Sequence, residues 1–446
     1  MKAKVSKLTL ARAYLGAKRR MRRGCPPGWR ERQVRALLRR VLPLSAHYRR
    51  KFEGLNPDGW REFPTIDKAE MMANFDSLNI VGIRLGDALE VAHRAEQSRD
   101  FSAQLGEVTV GLSSGTSGNA GVFLAGPRER ARWAGNILAK VLPHSLLRPE
   151  RIALFLRANS RLYESTRSRS IRFEFFDLLD PIEAHVERWE RFKPGVVVAP
   201  PSMWRLLAAR RDAGQLRHDP GKIVSAAESL DPLDATRVER AFGRRLHEIY
   251  QCTEGFLAAT CRHGTLHVNE DAVVIQKDYI DQASGRFVPI ITDFCRTSQP
   301  IIRYRLDDIL IERRRAPCPC GSSWMAIDRI EGRCDDLCFV PGRGSDRREI
   351  PVFPDFLRRA IVAAEPRITD YEVRQVNCSL FRVSFETEPG SDRGGIEKAI
   401  VQALNARFRS LGGAATTFEF VPIPARKALQ KRRRVTRSCP LPEHLS

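Results

Sequence analysis

Short apolar runs alternate with helical patterns through the middle of the chain. The run PGVVVAPP, over 194–201, is continuously apolar and β-branched, which is typical of a parallel strand buried on both faces. Further strands are predicted over 151–155, 170–176, 222–225 and 245–250, and helices over 183–193, 203–214 and 234–242. This alternation predicts an α/β architecture built on mostly parallel sheets.

The pattern changes after Thr260. Strands separated by turns are predicted over 267–276, 287–293 and 308–311, which indicates a β-rich subdomain. From Asp335 onward, helices over 353–365 and 395–411 alternate with strands over 371–376, 379–386 and 416–421. The prediction is a large domain over 1–334 and a small α+β domain over 335–446, the latter about 110 residues and a normal size for an independent unit.

The N-terminal part is predicted to be helical from about residue 5 to 51, with a break at the sequence Cys25-Pro26-Pro27-Gly28. The sequence FPTIDKAEMMAN, over 63–74, is interpreted as a turn that opens a further helix, with Asp67 or Thr65 as the candidate N-cap. A strand over 108–110, a loop and a helix over 128–141 come next.

The loop between that strand and that helix has the sequence LSSGTSGNAGVF. Its glycines allow the backbone N–H groups to approach phosphate oxygens, and its hydroxyls add donors. No Gly-Lys-Ser/Thr sequence follows, so the loop differs from the P-loop of common NTPases. The alternative interpretation is a flexible surface loop.

The formal net charge of +22 points to nucleic acid, a membrane surface or an acidic partner. Basic runs over 18–23 and 313–315 are interpreted as solvated faces. No apolar run is long enough to span a membrane, and the basic amphipathic N-terminus does not resemble a signal peptide. Ten irregularly spaced cysteines indicate reduced thiols or metal ligands, so a cytoplasmic protein is expected.

Several motifs, taken in order, resemble those of the adenylate-forming superfamily of acyl-CoA synthetases. The nearest branch resembles phenylacetate–CoA ligase and the synthetases that adenylylate a deazaflavin coenzyme. The resemblance starts near Phe63 and rests on FPTIDKAEMMANF, LSSGTSGNAGVF, PGVVVAPPSMWRLLA, SAAESLD, IYQCTEG, PIIRYRLDD, CPCG, EGRCDD and QKRRRV. It implies a large adenylate-forming domain and a small, mobile C-terminal domain.

The resemblance also implies how ATP is bound. The phosphate loop comprises Ser113, Ser114, Gly115, Thr116, Ser117 and Gly118. Ala227 and Glu228, with Ala226 before them, would flank the purine, and Tyr250 would offer its ring to the adenine. An ordinary core tyrosine is the alternative for Tyr250. Gln251 stands where the family usually has glycine, which narrows the space near the acyl group.

Thr253 would hydrogen-bond a phosphate and Glu254 would hold Mg²⁺, a hard cation that prefers oxygen ligands. The alternative for this pair is a helix N-cap. Asp308 corresponds to the family's ribose-binding aspartate, with Asp307 one position away as a competitor. Arg333 would also touch ribose or phosphate, and Asp335 lies at the family's hinge.

Two arginines and two lysines leave choices open. Arg303 and Arg305, in PIIRYRLDD, are also candidates for ion pairs that brace the fold. Lys431 has the offset of the family's catalytic lysine, although Gln430 replaces the usual glycine. Lys427 competes with it, and a disordered basic tail is the alternative for the whole QKRRRV motif.

A cysteine-rich group lies near the β-rich part. Cys318 and Cys320 form a C-x-C pair, and five residues separate Cys261 from His267. Some members of the resembled branch carry such residues at matching places, and three thiolates with one imidazole would complete a structural Zn²⁺ site. His263 is the alternative to His267, Cys252 the alternative to Cys261, and small buried side chains without metal are the general alternative.

The resemblance therefore implies an ATP- and Mg²⁺-dependent ligase. It would convert a carboxylic acid to an acyl-adenylate and pass the acyl group to coenzyme A or an acyl carrier protein. Transfer to a hydroxyl or an amine is the first alternative, and a basic protein that binds nucleic acid or a membrane surface is the second. Nucleic acid is the less expected partner. An aromatic or medium-chain acid is expected from a mainly apolar set of pocket candidates: Trp133, Asn136, Phe155, Pro201, Ala226 and Gln251.

Overall fold

A computed structural model describes residues 7–98, 104–112, 121–156, 170–314, 317–343, 349–424 and 433–440. The chain divides into two compact units. The large unit comprises residues 1–306 and 311–329, and the small unit comprises 307–310 and 330–446. The predicted boundary at 334/335 lies close to this division, and its role as a hinge stays a prediction.

The predicted helices are present, and a further helix, Leu85–Ser98, was not predicted. Their bounds are α1 Lys7–Arg23, α2 Trp29–Val41, α3 Ala46–Lys51, α4 Lys68–Ala73, α5 Phe75–Leu78, α6 Leu85–Ser98, α7 Pro127–Val141, α8 Ile182–Phe192, α9 Pro201–Asp212, α10 Pro232–Phe242, α11 Pro354–Ala364 and α12 Arg393–Ser410. Asp67 is the N-cap of α4, and its side chain accepts a hydrogen bond from the Glu70 N–H. None of the described helices combines the length and apolar character needed to cross a bilayer.

The strands belong to four sheets among the described residues. Their bounds are β1 Gln104–Leu105, β2 Val108–Leu112, β3 Val122–Ala125, β4 Glu150–Leu156, β5 Ile171–Asp177, β6 Val196–Ala199, β7 Lys222–Ser225, β8 Leu246–Cys252, β9 Gly255–Thr260, β10 Leu266–Val268, β11 Val273–Asp281, β12 Arg286–Asp293, β13 Ile301–Arg305, β14 Asp308–Glu312, β15 Ala326–Arg333, β16 Cys338–Pro341, β17 Glu349–Val352, β18 Ile368–Asn377, β19 Leu380–Thr387, β20 Thr417–Phe420 and β21 Val435–Arg437.

The main sheet of the large unit contains strands in the order β5-β4-β6-β7-β8-β9-β10-β15. Pairing is parallel from β5 to β8 and antiparallel from β8 to β15. The predicted parallel architecture therefore holds for the first half of the sheet. In the β-rich continuation, β12 pairs antiparallel with both β11 and β13.

The parallel strands are buried on both faces. Val196 and Val198 belong to a core with α1 and α7 on one face, whereas Val197 and Ala199 pack on the other face with Trp189 and Trp204. This explains the continuous β-branched run in the sequence. The same alternation corrects one prediction. Trp133 and Ala226 pack against the first core and Phe155 lies in the second, so these three do not line one pocket.

Two strand predictions were wrong in detail. Residues 267–276 form no single strand, because a turn separates β10 from β11 and the Asn269 N–H bonds back to the Leu257 carbonyl. The serine- and glycine-rich loop does not connect a strand to a helix. Val122 to Ala125 form β3, which pairs antiparallel with β2, so the loop closes a β-hairpin. The apolar sequence VFLA favours a strand, and the prediction assigned its first residues to the loop.

The small unit is built on the sheet β20-β19-β18-β21. β18 and β19 form an antiparallel hairpin, and the outer strands each pair parallel with it. α12 buries Ile400, Leu404 and Phe408 within this unit. The predicted α+β arrangement is present.

The N-terminal helix α1 packs closely on α7 at Gly135. A Cβ atom on Gly135 would lie 2.5 Å from the Leu10 carbonyl oxygen and 2.7 Å from the Ala13 Cβ. We therefore expect Gly135→Ala to destabilise the chain by about 1–3 kcal/mol through overpacking. Gly86→Ala in α6 is the matched control, because a Cβ there meets no atom within 4 Å. Gly86→Ala should leave the free energy of unfolding unchanged or raise it by about 0.5 kcal/mol.

Denaturant unfolding of the two variants measures this difference. Equal effects of the two substitutions would contradict the close contact between α1 and α7.

Candidate functional site

The parallel strands of the main sheet end at one edge, and polar candidates follow two of them. β7 leads into the sequence Ala226-Ala227-Glu228, and β8 leads into Thr253-Glu254. Ligands of open α/β sheets bind outside the carboxyl ends of the strands. Two segments of the predicted site therefore follow the strand ends where this architecture places ligands.

Thr253 and Glu254 occupy the tight turn between β8 and β9, where Cys252 pairs with Gly255. The helix N-cap interpretation of this pair is therefore wrong. Glu254 is 9% exposed, and its two carboxylate oxygens have separate partners. Tyr304 donates its hydroxyl to Oε1 at 3.0 Å, and Thr253 donates its hydroxyl to Oε2 at 2.9 Å. These bonds fix the orientation of a nearly buried carboxylate.

A small cavity lies beside this turn. Its lining consists of Lys68, Met71, Gly121, Val122, Phe123, Thr253, Glu254, Gln299 and Ile301. Gly121 directly follows the serine- and glycine-rich loop, whose residues Ser113 to Gly118 lie outside the described part of the chain. The exit of the predicted phosphate loop and the predicted magnesium ligand therefore border the same space.

The segment before β13 fixes this arrangement. Gln299 accepts a hydrogen bond from the Leu124 N–H at 3.0 Å and donates to the Val122 carbonyl at 3.0 Å. Arg296 donates both to the Leu124 carbonyl and to the Thr253 carbonyl. One short segment thus ties β3, which follows the loop, to the turn that carries Glu254.

Lys68 is a cavity residue that the sequence reasoning missed. It directly follows the N-cap Asp67 and is the first residue of α4. The signal was the FPTIDK motif, which was interpreted only as a helix start. A lysine near Glu254 and the loop exit adds a cation where phosphate oxygens would be negative.

The residues predicted to surround the adenine have distinct environments. Ala227 has φ of +70°, a left-handed conformation that costs a non-glycine residue roughly 1–2 kcal/mol and is common at functional sites. Glu228 accepts hydrogen bonds from the N–H and hydroxyl of Ser202, at 3.2 and 3.1 Å. Its carboxylate is thereby held at the N-terminus of α9. Tyr250 is 6% exposed, and the strand pairing shifts register between Tyr250 and Gln251.

The predicted ribose ligands lie together in the small unit. Arg333 Nε is 3.7 Å from Asp308 Oδ1, and the Asp307 carbonyl accepts from the Cys334 N–H at 2.7 Å. Arg303 and Arg305 serve instead as braces within the large unit. Arg303 Nε donates to the Phe63 carbonyl at 2.8 Å, and Arg305 Nε pairs with an Asp278 carboxylate oxygen at 2.9 Å.

The predicted catalytic lysine cannot be placed, because Lys427 and Lys431 both lie outside the described residues. The chain that follows is anchored to the small unit. Arg433 pairs with Asp336, and Arg434 is 3% exposed and 3.0 Å from Asp370. The interpretation of the motif as a disordered tail is therefore wrong for residues 433–435.

The predicted hinge Asp335 lies in a short 3-10 helix, 334–336, with its side chain outside the described part. Its role therefore stays a prediction. Asp336, the next residue, is the one whose carboxylate binds Arg433.

The four predicted zinc ligands come together. One ligand atom from each of Cys261, His267, Cys318 and Cys320 lies within 4.8 Å of the others. The Cys261 and Cys318 sulfurs are 3.6 Å apart, and the Cys320 sulfur is 3.3 Å from His267 Nε2. Cys252 contacts the Gly255 carbonyl instead. The geometry favours Cys261 and His267 over the alternatives.

The surroundings of this cluster suit metal ligands. The Trp324 carbonyl accepts from His267 Nδ1 at 3.2 Å, which leaves the Nε2 lone pair directed at the sulfurs. Burial raises the pKa of Cys261, but the N–H groups of His263 and Thr265 and the neighbouring thiols outweigh it and lower that pKa. A lower pKa favours the thiolate form of Cys261, which is the form that binds metals, whereas burial and the neighbouring thiols raise the pKa of Cys320 to about 11.

No protein-family model and no curated protein sequence matches the chain. Solved structures do. A 2-hydroxyisobutyryl-CoA ligase in the postadenylation state, in complex with R3-HIB-AMP, is similar over 94% of this chain and 92% of its own, with a TM-score of 0.68 and 18% sequence identity. The anthranilate CoA ligase AuaEII, in complex with anthranoyl-AMP, covers 74% of this chain and 67% of its own, with a TM-score of 0.51 and 14% identity.

An amide bond synthetase, McbA from Marinactinospora thermotolerans, is similar over 73% of this chain and 68% of its own, with a TM-score of 0.52 and 12% identity. Identities this low establish the architecture rather than the reaction. The predicted fold class is confirmed: the chain has the fold of the adenylate-forming ligases.

Proposed function

We propose that this chain is an ATP-dependent ligase that adenylylates a carboxylic acid and transfers the acyl group to a thiol. The observation that carries the proposal is the cavity bordered by Lys68, Thr253, Glu254 and the exit of the loop at Gly121. A buried carboxylate, a hydroxyl and a lysine beside a loop rich in glycine and serine suit a nucleotide triphosphate with its metal ion. The fold is one whose solved members include ligases bound to acyl-adenylates.

In the first half-reaction, a carboxylate oxygen of the acid attacks the α-phosphorus of ATP. An oxygen–phosphorus bond forms, the bond to the β-phosphate oxygen breaks, and pyrophosphate leaves. The chain contributes mainly by positioning and by stabilising charge. The loop Ser113–Gly118 would hold phosphate oxygens through N–H and hydroxyl donors. Thr253 would turn its hydroxyl from Glu254 to a phosphate oxygen when ATP binds, and Lys68 would add positive charge.

Glu254 fits a magnesium ligand. Each carboxylate oxygen accepts one hydrogen bond from the protein and keeps a further lone pair. Mg²⁺, when bound, would neutralise phosphate charge during the displacement. The hydrogen bonds from Tyr304 and Thr253 would hold the carboxylate in place before the metal arrives.

The nucleoside part of ATP would be held by further residues. Tyr250 would present its ring to the adenine beside the Ala227 turn. By the resemblance, Asp308 is the candidate ribose ligand, because acidic residues accept hydrogen bonds from the ribose hydroxyls of other nucleotides. Arg333, whose Nε is 3.7 Å from Asp308, would orient that carboxylate or touch a phosphate.

The acceptor of the acyl group is inferred to be coenzyme A or a carrier-protein thiol. Two of the similar structures are named as CoA ligases. The similar amide bond synthetase supports an amine as the second candidate acceptor.

We place the chain nearest to the phenylacetate–CoA ligase branch, on the strength of its motifs and of the Cys/His cluster. Asp335 is proposed as the hinge residue about which the C-terminal domain moves between the two half-reactions.

We also propose that Cys261, His267, Cys318 and Cys320 bind a structural Zn²⁺. Three sulfurs and one imidazole nitrogen form the donor set of a closed tetrahedral site, and their mutual spacing suits Zn–S bonds of about 2.3 Å. The metal would join the turn after β9 to the segment before β15. All ten cysteines are free thiols, which suits a reducing compartment such as the cytoplasm.

Pyrophosphate release tests the function. The purified chain is mixed with ATP, Mg²⁺ and a panel of carboxylic acids that includes aromatic and medium-chain members. We expect pyrophosphate release that depends on the acid, and an acyl thioester that forms only when a thiol is added. Lys431→Ala should lower release by about 10²-fold or more, since the lysine would stabilise charge on the α-phosphate.

Lys427→Ala is the matched control, with an equal loss of charge in the same segment, and should stay close to wild type. The reverse ranking would transfer the catalytic role to Lys427. If no acid of the panel supports pyrophosphate release, the proposed reaction is contradicted. If the acyl product forms only with amines, the thiol acceptor is overturned.

Metal analysis tests the zinc site. The chain as purified should contain about one zinc ion, and chelation should lower its melting temperature, because metal binding contributes to folding. Cys320→Ser should lose the metal, whereas Cys252→Ser should keep it. A wild-type chain that is free of zinc and equally stable with and without chelator would refute the site while leaving the ligase proposal intact.

A further inference from the structure

Positive charge is concentrated at the N-terminus. Residues 1–51 contain seventeen lysines and arginines and a single acidic residue, Glu31, so they hold most of the net charge of +22. The proposed ATP site uses none of the residues in this segment. The charge therefore calls for a separate explanation.

Helix α1 has an inner and an outer face that differ in how their side chains are used. On the inner face, Tyr14 and Ala17 are buried against the core beside α7. Arg20 lies over the Trp29 ring at 5.0 Å, with its Nε 3.9 Å from Asp271. The inner face is thus engaged within the protein, which fixes the direction of the outer face.

The outer face is a single stripe. Leu8, Arg12, Leu15, Arg19 and Arg22 follow one another at intervals of three or four residues, so they align along the helix. Leu8 is 59% exposed and Leu15 is 65% exposed. Within the part of the chain that the structure describes, no carboxylate lies within ion-pair distance of the three arginines. Two large apolar side chains thus alternate with cations that remain available to a partner.

We propose that this outer stripe of α1 binds an anionic lipid bilayer surface, with α1 lying in the plane of the surface. Guanidinium groups match lipid phosphates, and leucines between them match the acyl region just below. The tight contact at Gly135 orients the helix before binding, so little order has to be gained. The stripe would hold the ligase at a membrane surface without crossing it.

The leucines favour a bilayer over nucleic acid. A nucleic-acid backbone would satisfy the arginines through its phosphates but offers no matching apolar layer to Leu8 and Leu15. A bilayer satisfies both kinds of side chain, since interfacial binding grows with buried apolar area as well as with charge. The two surfaces therefore predict different consequences for replacing the leucines.

Vesicle sedimentation tests the proposal on the full chain. Vesicles of phosphatidylcholine with about one-third phosphatidylglycerol are compared with phosphatidylcholine alone, at about 0.1 M salt. We expect binding to the anionic vesicles only. Arg12→Glu with Arg19→Glu should lower the partition coefficient by at least about tenfold, and Leu8→Gln with Leu15→Gln by a similar factor.

Arg374→Glu with Arg409→Glu is the matched control. Both arginines are exposed in the small unit, and the pair changes net charge by the same amount as the first variant. It should bind vesicles as the wild type does, and all variants should keep the wild-type melting temperature.

Three results would overturn the proposal. One is a wild-type chain that ignores anionic vesicles. Another is an equal loss of vesicle binding in the control pair, which would mean that net charge alone drives binding. The third is a Leu8→Gln, Leu15→Gln variant that binds vesicles as tightly as the wild type, together with random DNA that displaces the protein from the vesicles. This result would assign the stripe to nucleic acid.

Discussion

The reversal of chain direction after β8 is the constraint on which the candidate site depends. Up to β8 the strands are parallel, and their carboxyl ends share one edge of the sheet. At Thr253 and Glu254 the chain turns back into β9, so a carboxylate that would otherwise begin a crossover is held in a two-residue turn. The hydroxyl of Tyr304, in β13, then fixes that carboxylate. Parallel and antiparallel pairing meet where the chemistry is proposed.

Much of the architecture could be predicted because its signals are local. The β-branched run at Val196–Ala199 indicates burial on both faces of the sheet, and Asp67 predicts the start of the helix that it caps. The pairing of Cys261 and His267 with the C-x-C group followed from resemblance, and the structure brings these ligand atoms within 4.8 Å of one another. Periodicity and capping depend on residues that are close in sequence, so a single sequence is enough to predict such elements.

Other features depend on contacts that a single sequence does not reveal. β3 forms because its backbone pairs with β2 and because Gln299, far along the chain, bonds to Val122 and Leu124. Lys68 joins the cavity through the packing of α4, whereas the FPTIDK motif was interpreted only as the start of a helix. Alternation alone did not say which face Phe155 would take, and it lies in the core opposite to Trp133. Tertiary contacts decided each of these cases.

The Glu254 cavity is proposed to bind ATP with Mg²⁺ and to support adenylation of an acid. Exchange of radiolabelled pyrophosphate into ATP tests it most directly, because exchange reports the reversible first half-reaction and ignores the acceptor. We expect exchange that requires a carboxylic acid and that falls by about 10²-fold or more in Glu254→Gln. Exchange that is as fast in a folded Glu254→Gln variant as in wild type would contradict it.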